Sequence, residues 1–214
     1  MVEKTLIQNI EEEAKKYFTS APATHDWSHV ERVDRLASYI SQIEGGNLTV
    51  IKLSVLLHDI GRKKEEELNG EVCHAEEGAK LARNILESYG VNKEIIEHVC
   101  HCIETHRFRN EKEPQTIEAK VLYDADKLDS IGAIGIARAC SWSGAHEQKL
   151  YSDSEKEVGT GYEGEHTPLI EFGTKLSKIK EHLLTKTGRE IAKDRHKLMV
   201  AFFERLQQEI DGVL

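Results

Sequence analysis

Residues 50–61 read Val-Ile-Lys-Leu-Ser-Val-Leu-Leu-His-Asp-Ile-Gly, an apolar stretch that ends in two ionisable side chains. On a helix with 3.6 residues per turn, its apolar residues would lie on nearly every side. A buried helix and a buried strand can both have this pattern. We predict a central buried helix capped by Thr49, because no other segment offers a strand as a sheet partner. His58 and Asp59 would close this helix, where burial of a lone carboxylate is costly.

Apolar residues recur with a helical period on both sides of this stretch, and the chain contains only 3 prolines. Asp26 or Ser28 is placed to cap the segment that begins at Val30, and Asn92 is placed to cap the segment that begins at Ile95. The predicted helices span Leu6 to Phe18, Val30 to Ile43, Ala75 to Leu86, Ile95 to Ile103, Val121 to Leu128, Ile131 to Cys140, Phe172 to Leu183 and Ile191 to Leu206. The pattern therefore predicts an all-α helical bundle.

The length and charge of the chain indicate one acidic domain over residues 1–214. A net charge of −9 disfavours a nucleic-acid polymer or an anionic membrane as the main partner. No apolar run approaches the ~18–20 residues of a membrane span, and the first residues lack the features of a signal peptide. The 4 cysteines are too few for a disulfide framework, so we expect a cytoplasmic protein with reduced thiols.

Residues 141–166 interrupt the helical pattern with a sequence rich in glycine, serine and charge. Loops of this length in compact domains are usually functional lids or disordered segments. We expect a flexible, lid-like loop that precedes C-terminal helices at 167–214. The GTGYEG stretch at 159–164 has the composition of a phosphate-binding loop, but it follows no predicted strand and lacks the Lys-Ser/Thr pair of such loops.

Several acids and imidazoles fall within predicted core helices. Buried ionisable groups persist when they are paired or when they coordinate a metal. Asp126 belongs to a helix with a strongly apolar face, and Asp129 shares its side at i,i+3. His58 and Asp59 lie on a second helix and His29 lies on a third, so these groups enter the core on three helices. Spacing alone does not show that they converge.

Three motifs follow one another along the chain: HDWSHVERV at 25–33, LLHDIGR at 56–62 and DADKLDSIGAIGIAR at 124–138. Together they resemble the HD superfamily of metal-dependent phosphohydrolases, an all-helical fold named for its His-Asp doublet. The flanking helices are similar to a compact bacterial subgroup of that family. The signature H…HD…D is matched at His29, His58, Asp59 and Asp126.

The resemblance implies a single divalent ion bound by His29, His58, Asp59 and Asp126, with Asp59 also acting in catalysis. Mixed nitrogen and oxygen ligands with open octahedral positions suit Mn²⁺, Co²⁺, Ni²⁺, Fe²⁺ or Mg²⁺ better than a closed tetrahedral zinc site. We favour Mn²⁺ over Mg²⁺, which prefers oxygen ligands. The ion would activate water and orient its attack on phosphorus.

The histidine-rich helix near residue 100 allows two alternatives. A two-metal variant of the family uses additional histidines, and His98, His101 and His106 are the candidates here, although we favour one ion. Cys100 and Cys102 beside them suggest zinc. On a helix, however, residues two apart point about 200° apart, so these thiols cannot chelate one ion.

Phosphoryl transfer spreads negative charge over oxygen atoms, so cations are needed near the ion. Lys127 and Arg62 are the best-placed candidates and Arg32 is a third, with solvated surface charge as the alternative for each. His25 would lie one turn before the first signature histidine, as a proton shuttle or a phosphate contact. The alternative for His25 is a turn in which Asp26 caps the next helix.

The predicted function is hydrolysis of a nucleotide phosphate ester or anhydride. The overall resemblance favours cleavage of (deoxy)nucleoside triphosphates to monophosphate and diphosphate. The alternatives are a 5′-nucleotidase or phosphodiesterase of the same fold, a nucleotide-sensing module without turnover, and a helical scaffold that holds no metal. An exposed apolar face on a terminal helix would support a homodimer.

Overall fold

The structure is a computed structural model that describes residues 2–19, 26–107, 112–152 and 166–213. All regular secondary structure within these ranges is helical, which confirms the predicted all-α fold. The helices are α1 (Val2–Lys15), α2 (Trp27–Glu44), α3 (Leu48–Leu57), α4 (Arg62–Glu67), α5 (His74–Ser88), α6 (Lys93–Thr105), α7 (Ile117–Leu128), α8 (Gly132–Ala145), α9 (Pro168–Thr174) and α10 (Lys186–Ile210), with 3-10 turns at Lys16–Phe18 and Leu176–Glu181.

The chain divides into two compact units, residues 1–126 and residues 127–214. The single domain expected over 1–214 remains a prediction. No helix in the described ranges combines the length and the apolar character that crossing a membrane requires.

Helix α3 is the core of the first unit, and it packs against α1, α2, α5 and α6. Its burial on all sides explains why its apolar pattern has no single face, and it is a helix rather than the alternative strand. The predicted cap, Thr49, is wrong. Asn47 caps the helix, because its side-chain oxygen accepts hydrogen bonds from the backbone N–H groups of Thr49 at 3.0 Å and Val50 at 3.2 Å.

Close backbone contacts fix the position at which α3 ends. A Cβ atom on Gly61 would lie 2.2 Å from the carbonyl oxygen of His74 and 2.6 Å from the backbone nitrogen of Gly78. A Cβ atom on Gly78 would lie 3.3 Å from the carbonyl oxygen of His58. Glycine at these positions lets the end of α3 approach α5 closely, so the His58-Asp59 pair is held against the start of α5.

In the second unit, α8 packs against α10 through small residues. Gly132 has a φ of +78° and lies against Arg195, and a Cβ atom on Gly135 would lie 2.8 Å from the terminal methyl of Met199. The predicted helix Ile191 to Leu206 is confirmed as part of α10. A single helix over Phe172 to Leu183 is wrong, because α9 ends at Thr174 and a 3-10 turn follows.

The expected loop at 141–166 begins later than predicted. Helix α8 continues to Ala145, since residues 141–145 keep the helical backbone despite their polar composition. Residues 153–165, with the GTGYEG stretch, lie outside the described residues, so the lid remains a prediction.

Candidate metal centre

The four signature residues are buried at the ends of three helices of the first unit. His29 lies in the first turn of α2, His58 and Asp59 lie at the C-terminal end of α3, and Asp126 lies in the last turn of α7. His29 and His58 are 0% exposed, Asp59 is 2% exposed and Asp126 is 5% exposed. Helix packing brings together side chains that are far apart in the sequence.

The first group of potential ligand atoms comes from His29, His58 and Asp126, whose atoms all lie within 4.8 Å of one another. His29 Nε2 is 3.2 Å from His58 Nε2 and 3.4 Å from Asp126 Oδ1. Asp59 Oδ2 is 3.5 Å from the Nε2 atoms of both histidines. The four residues predicted to bind one ion therefore converge on a common centre.

A second group shares the same aspartate and comprises Asp59, His74 and His106. Asp59 Oδ1 is 3.5 Å from His106 Nε2 and 3.8 Å from His74 Nε2. Each oxygen of the Asp59 carboxylate thus faces one group. His74 was not predicted as a ligand, and its signal in the sequence is a histidine that directly precedes the predicted helix Ala75 to Leu86.

His98 and His101, two of the histidines considered for a second ion, have other partners. His98 Nε2 is 2.9 Å from Thr116 Oγ1 and 3.1 Å from Glu118 Oε2. His101 Nε2 accepts a hydrogen bond from the backbone N–H of Gln115 at 3.2 Å. Of the three candidates on α6 and its C-terminal end, only His106 joins the second group.

Hydrogen bonds to the outer ring nitrogens orient three of the imidazoles. His58 Nδ1 donates to the carbonyl oxygen of Val55 at 2.8 Å, and His106 Nδ1 donates to that of Ile103 at 2.6 Å. A carbonyl oxygen can only accept, so in the neutral ring Nε2 carries the lone pair. His74 Nδ1 bonds the carboxylate of Glu65 at 2.7 Å in the same way. Such partners are typical of histidines that ligate metals.

Three buried atoms of the second group make no hydrogen bond to any described residue. They are Asp59 Oδ1, His74 Nε2 and His106 Nε2. A buried polar atom without a partner costs about 1–3 kcal/mol, so three of them facing one another would be an expensive arrangement. A cation between them would satisfy all three, and the donor set of one carboxylate and two imidazoles fits a divalent ion.

The electrostatics of the site favour the protonation states that bind metals. Burial lowers the pKa of His58 to about 4, and burial together with the Arg62 guanidinium lowers the pKa of His74 to about 4. Burial alone would raise the pKa of Asp59, but Arg62 and the neighbouring imidazoles hold it well below its usual range. Near pH 7 His58 and His74 are therefore neutral imidazoles and Asp59 is an ionised carboxylate.

Arg62, predicted as a cation near the ion, contacts the site directly. It is the first residue of α4, and its Nε donates to Asp59 Oδ2 at 2.5 Å. Arg32 donates to Ser28 Oγ at 2.9 Å. Lys127 follows Asp126 in α7 and is partly exposed, and its role remains a prediction.

Two further residues were named from the sequence, His25 and Asp129. His25, predicted as a proton shuttle or phosphate contact, lies outside the described residues. Asp129 accepts a hydrogen bond from Arg138 Nη1 at 2.9 Å, within the second unit.

Glu65 and Arg107 adjoin the second group and were not singled out from the sequence. Glu65 Oε2 accepts the hydrogen bond from His74 Nδ1, while Glu65 Oε1 lies 3.1 Å from Arg107 Nη1. Burial opposes ionisation of Glu65, but His74 and the arginines lower its pKa below the usual value. Glu65 is therefore a carboxylate that joins a potential metal ligand to a cation.

Among the residues that the structure describes, the cysteines of α6 belong to neither group of potential metal ligands. Cys100 Sγ donates to the carbonyl oxygen of Ala79 at 3.4 Å, and both Cys100 and Cys102 are buried and free. Burial raises the pKa of Cys100 to about 11 and that of Cys102 to about 12. Both thiols are therefore held in the neutral form in these surroundings, as is usual for buried structural cysteines.

Comparison with known proteins identifies the family. The HD domain model matches residues 26–131, a span that contains all six side chains of the two groups. The chain is also 36% identical over 200 residues to YpgQ of Bacillus subtilis, which covers 91% of this chain and 89% of that protein. The chain therefore belongs to the HD superfamily of metal-dependent phosphohydrolases.

Two solved structures extend this likeness over nearly the whole chain. Bacillus subtilis YpgQ in complex with ADP is similar with a TM-score of 0.76 and 30% identity, covering 98% of this chain and 97% of that chain. An HD-superfamily hydrolase from Bacillus thuringiensis is similar with a TM-score of 0.74 and 30% identity, covering 98% of each chain.

Proposed function

We propose that this protein hydrolyses (deoxy)nucleoside triphosphates to a monophosphate and diphosphate, with divalent metal ions as cofactor. The observation that carries the proposal is the pair of buried ligand groups between which Asp59 lies. Membership of the HD superfamily supports a metal-dependent phosphohydrolase. The ADP complex of YpgQ supports a nucleotide as the class of ligand.

The first group, His29, His58, Asp59 and Asp126, would hold the ion that the sequence predicted. Asp59, His74 and His106 carry buried atoms that make no hydrogen bond within the described part of the chain, which supports a second ion beside the first, so we extend the single ion to a pair. We favour Mn²⁺, because the donors mix imidazole nitrogen with carboxylate oxygen, and we keep Mg²⁺, Co²⁺, Ni²⁺ and Fe²⁺ as alternatives. A bound divalent ion supplies Lewis acidity toward phosphoryl oxygens and activates water for attack.

The protein's own groups would prepare the site for a polyanionic substrate. Hydrogen bonds at Nδ1 fix the imidazole rings, so little reorganisation accompanies the reaction. Arg62 and Lys127 would neutralise charge on the transferred phosphoryl group, and His25 would carry a proton or contact a phosphate. A small-molecule phosphate suits the acidic chain better than a nucleic-acid polymer.

A panel of nucleotides tests the proposal with Mn²⁺-loaded protein and separate assays for phosphate and diphosphate. We expect diphosphate and a nucleoside monophosphate from triphosphates. Release of phosphate from monophosphates would instead identify a 5′-nucleotidase, and cleavage of diesters would identify a phosphodiesterase. Nucleotide binding without turnover under any divalent ion would identify a sensing module and reject the hydrolase.

Two further expectations accompany this function. The four cysteines are free, which fits the cytoplasmic location that we propose. Leu198 is 51% exposed and Phe202 is 40% exposed on α10, and this apolar face is where we expect a homodimer to form.

A further inference from the structure

Glu65 makes contacts that the ligand set alone does not explain. It belongs to α4, a helix of 6 residues whose sequence, RKKEEE, is wholly charged. Its neighbours Glu66 and Glu67 are exposed, whereas the side chain of Glu65 is 17% exposed. The helix turns one glutamate inward, toward the start of α5.

The two oxygens of Glu65 have separate partners. Oε2 lies 2.7 Å from His74 Nδ1, and Oε1 lies 3.1 Å from Arg107 Nη1. Oε1 also lies 3.4 Å from the backbone nitrogen of His74. One carboxylate therefore holds the imidazole ring and the first residue of its helix, and at the same time it holds a guanidinium group.

The bond to His74 has a direct chemical consequence. Because Nδ1 donates its proton to a carboxylate, Nε2 keeps its lone pair and becomes a stronger donor toward a cation. His74 Nε2 is one of the buried atoms without a hydrogen-bond partner among the described residues, and it faces Asp59 Oδ1. Glu65 thus fixes both the direction and the basicity of this ligand atom.

Arg107 lies beside the same group. It directly follows His106, whose Nε2 also makes no hydrogen bond to any residue that the structure describes. The side chain of Arg107 is 32% exposed. A guanidinium that is anchored on one side and accessible on the other is suited to bind phosphate oxygens through paired hydrogen bonds.

We propose that Glu65 is a positioning residue that orients His74 toward a metal ion at the second group and holds Arg107 there as a contact for substrate phosphates. The inference rests on the proposed function and assigns roles to two residues outside the HD signature. The binding of a metal ion at the second group and the binding of substrate phosphates by Arg107 would therefore both depend on the Glu65 carboxylate.

The first experiment measures ion binding rather than activity. Wild-type protein and the variants Glu65→Ala, Glu65→Gln and Glu66→Gln are dialysed against Mn²⁺, and bound manganese is counted by mass spectrometry across a concentration series. We expect two ions in the wild type. Loss of an outer partner of a ligating histidine typically weakens binding about 10- to 100-fold, so Glu65→Ala should lose one ion at concentrations that saturate the wild type.

The conservative variant separates positioning from general damage. The amide oxygen of Glu65→Gln can still accept from His74 Nδ1, so this variant should recover part of the affinity for the second ion. Glu66→Gln is the matched control on the exposed side of α4, and it should bind as the wild type does. Two ions of unchanged affinity in Glu65→Ala, or a single ion in the wild type, would overturn the inference.

The second experiment tests Arg107 with the substrate. Arg107→Ala should keep both ions but raise KM for a nucleoside triphosphate about tenfold or more, the effect of losing one charge-assisted hydrogen bond, with a smaller change in kcat. Arg83→Ala is the control, because Arg83 also pairs with a glutamate, Glu97, at 2.6 Å on the surface of α5 and α6. An unchanged KM in Arg107→Ala would overturn this role.

The outcomes separate this inference from the proposed function. A protein that hydrolyses no nucleotide would reject the proposed function, while the ion counts would still decide the role of Glu65. If the protein is an active hydrolase and Glu65→Ala binds as many manganese ions as the wild type, the inference is rejected and the proposed function is left intact.

Discussion

At the scale of single residues, Asp59 links the two ligand groups. Its Oδ2 faces His29 and His58, and its Oδ1 faces His74 and His106. A carboxylate with two oxygens in different directions is suited to bridge two cations, whereas a neutral imidazole offers one lone pair. The chemistry that we propose therefore depends on this side chain more than on any one histidine.

Substitution of Asp59 gives the first prediction. Asp59→Ala should lose bound manganese from both groups and reduce hydrolysis to the uncatalysed background, while the helical circular dichroism signal is kept. Metal content, turnover and the far-ultraviolet spectrum are measured on the same sample. Asp34→Ala is the control, since Asp34 pairs with Lys52 at 2.7 Å and is partly exposed. Unfolding of Asp59→Ala alone would indicate a mainly structural role.

The sequence could predict some residues of the centre but not others. His29, His58, Asp59 and Asp126 follow from motif order, and the structure brings them together. His74 could not be predicted in this way, because its relation to Asp59 is set by the packing of α5 and not by any helical period.

The same limit explains the histidines of α6. His98 and His101 lie on α6, and His106 caps the C-terminal end of the same helix. The partner of each side chain nevertheless depends on the neighbouring helix. His98 turns to Thr116 and Glu118, at the start of α7. The sequence does not distinguish these three histidines as metal ligands, because their partners are set by tertiary packing.

At the scale of elements, the junction between α3 and α5 holds the His-Asp doublet in place. Gly61 lies so close to the backbone of His74 and Gly78 that a Cβ atom at this position would overlap with both. Gly61 lies two residues after Asp59, and its contact with the backbone of His74 brings His74 close to Asp59. The position of the second group depends on this backbone packing.

This junction gives the second prediction. Gly61→Ala should lower the free energy of unfolding by about 1–3 kcal/mol, because the added methyl must displace backbone atoms. The measurement is urea denaturation followed by circular dichroism. Gly144→Ala is the control, because a Cβ atom there meets nothing within 4 Å, and it should be neutral or stabilising. Equal stability of the two variants would contradict the close contact.

A third prediction concerns α9 in the second unit. Glu171 accepts from His166 Nε2 at 2.7 Å and from Lys175 Nζ at 2.8 Å, and although burial opposes it, these partners lower the pKa of Glu171 to about 2 from 4.5. A carboxylate with a lowered pKa stabilises the fold above its unfolded pKa. This contribution is lost as the pH falls from 4.5 toward 2.

The test compares Glu171→Gln with the wild type across this range. At pH 7 the variant should be less stable by about 1–3 kcal/mol, the effect of losing a hydrogen bond to a charged group, and the difference should shrink below pH 4.5. Thermal unfolding at a series of pH values measures it. Glu190→Gln, which removes a surface pair with Lys193, should change little at any pH. A difference independent of pH would contradict the ionised pair.

Element types were more predictable than element ends. The strand alternative for residues 50–61 could not be excluded from periodicity, since a helix buried on all sides carries no polar face. Asn47 and Thr49 are both acceptable caps, and only the backbone conformation selects Asn47. Helix α8 extends through a polar, glycine-containing sequence to Ala145, which composition alone assigned to a loop.

At the scale of the whole molecule, the six side chains of the two groups all belong to residues 1–126. The second unit, residues 127–214, begins with Lys127, for which a role in charge neutralisation is predicted. The chain carries a net charge of −9, so binding of the proposed nucleotide substrate would rely on local cations and on metal ions rather than on the overall field.

The most direct test of the central claim is anomalous X-ray scattering from crystals grown with Mn²⁺, recorded at the manganese absorption edge. We predict one peak enclosed by His29, His58, Asp59 and Asp126, and a second peak between Asp59, His74 and His106. Manganese bound elsewhere, or no manganese at the four signature residues under conditions that support turnover, would contradict this account of the protein.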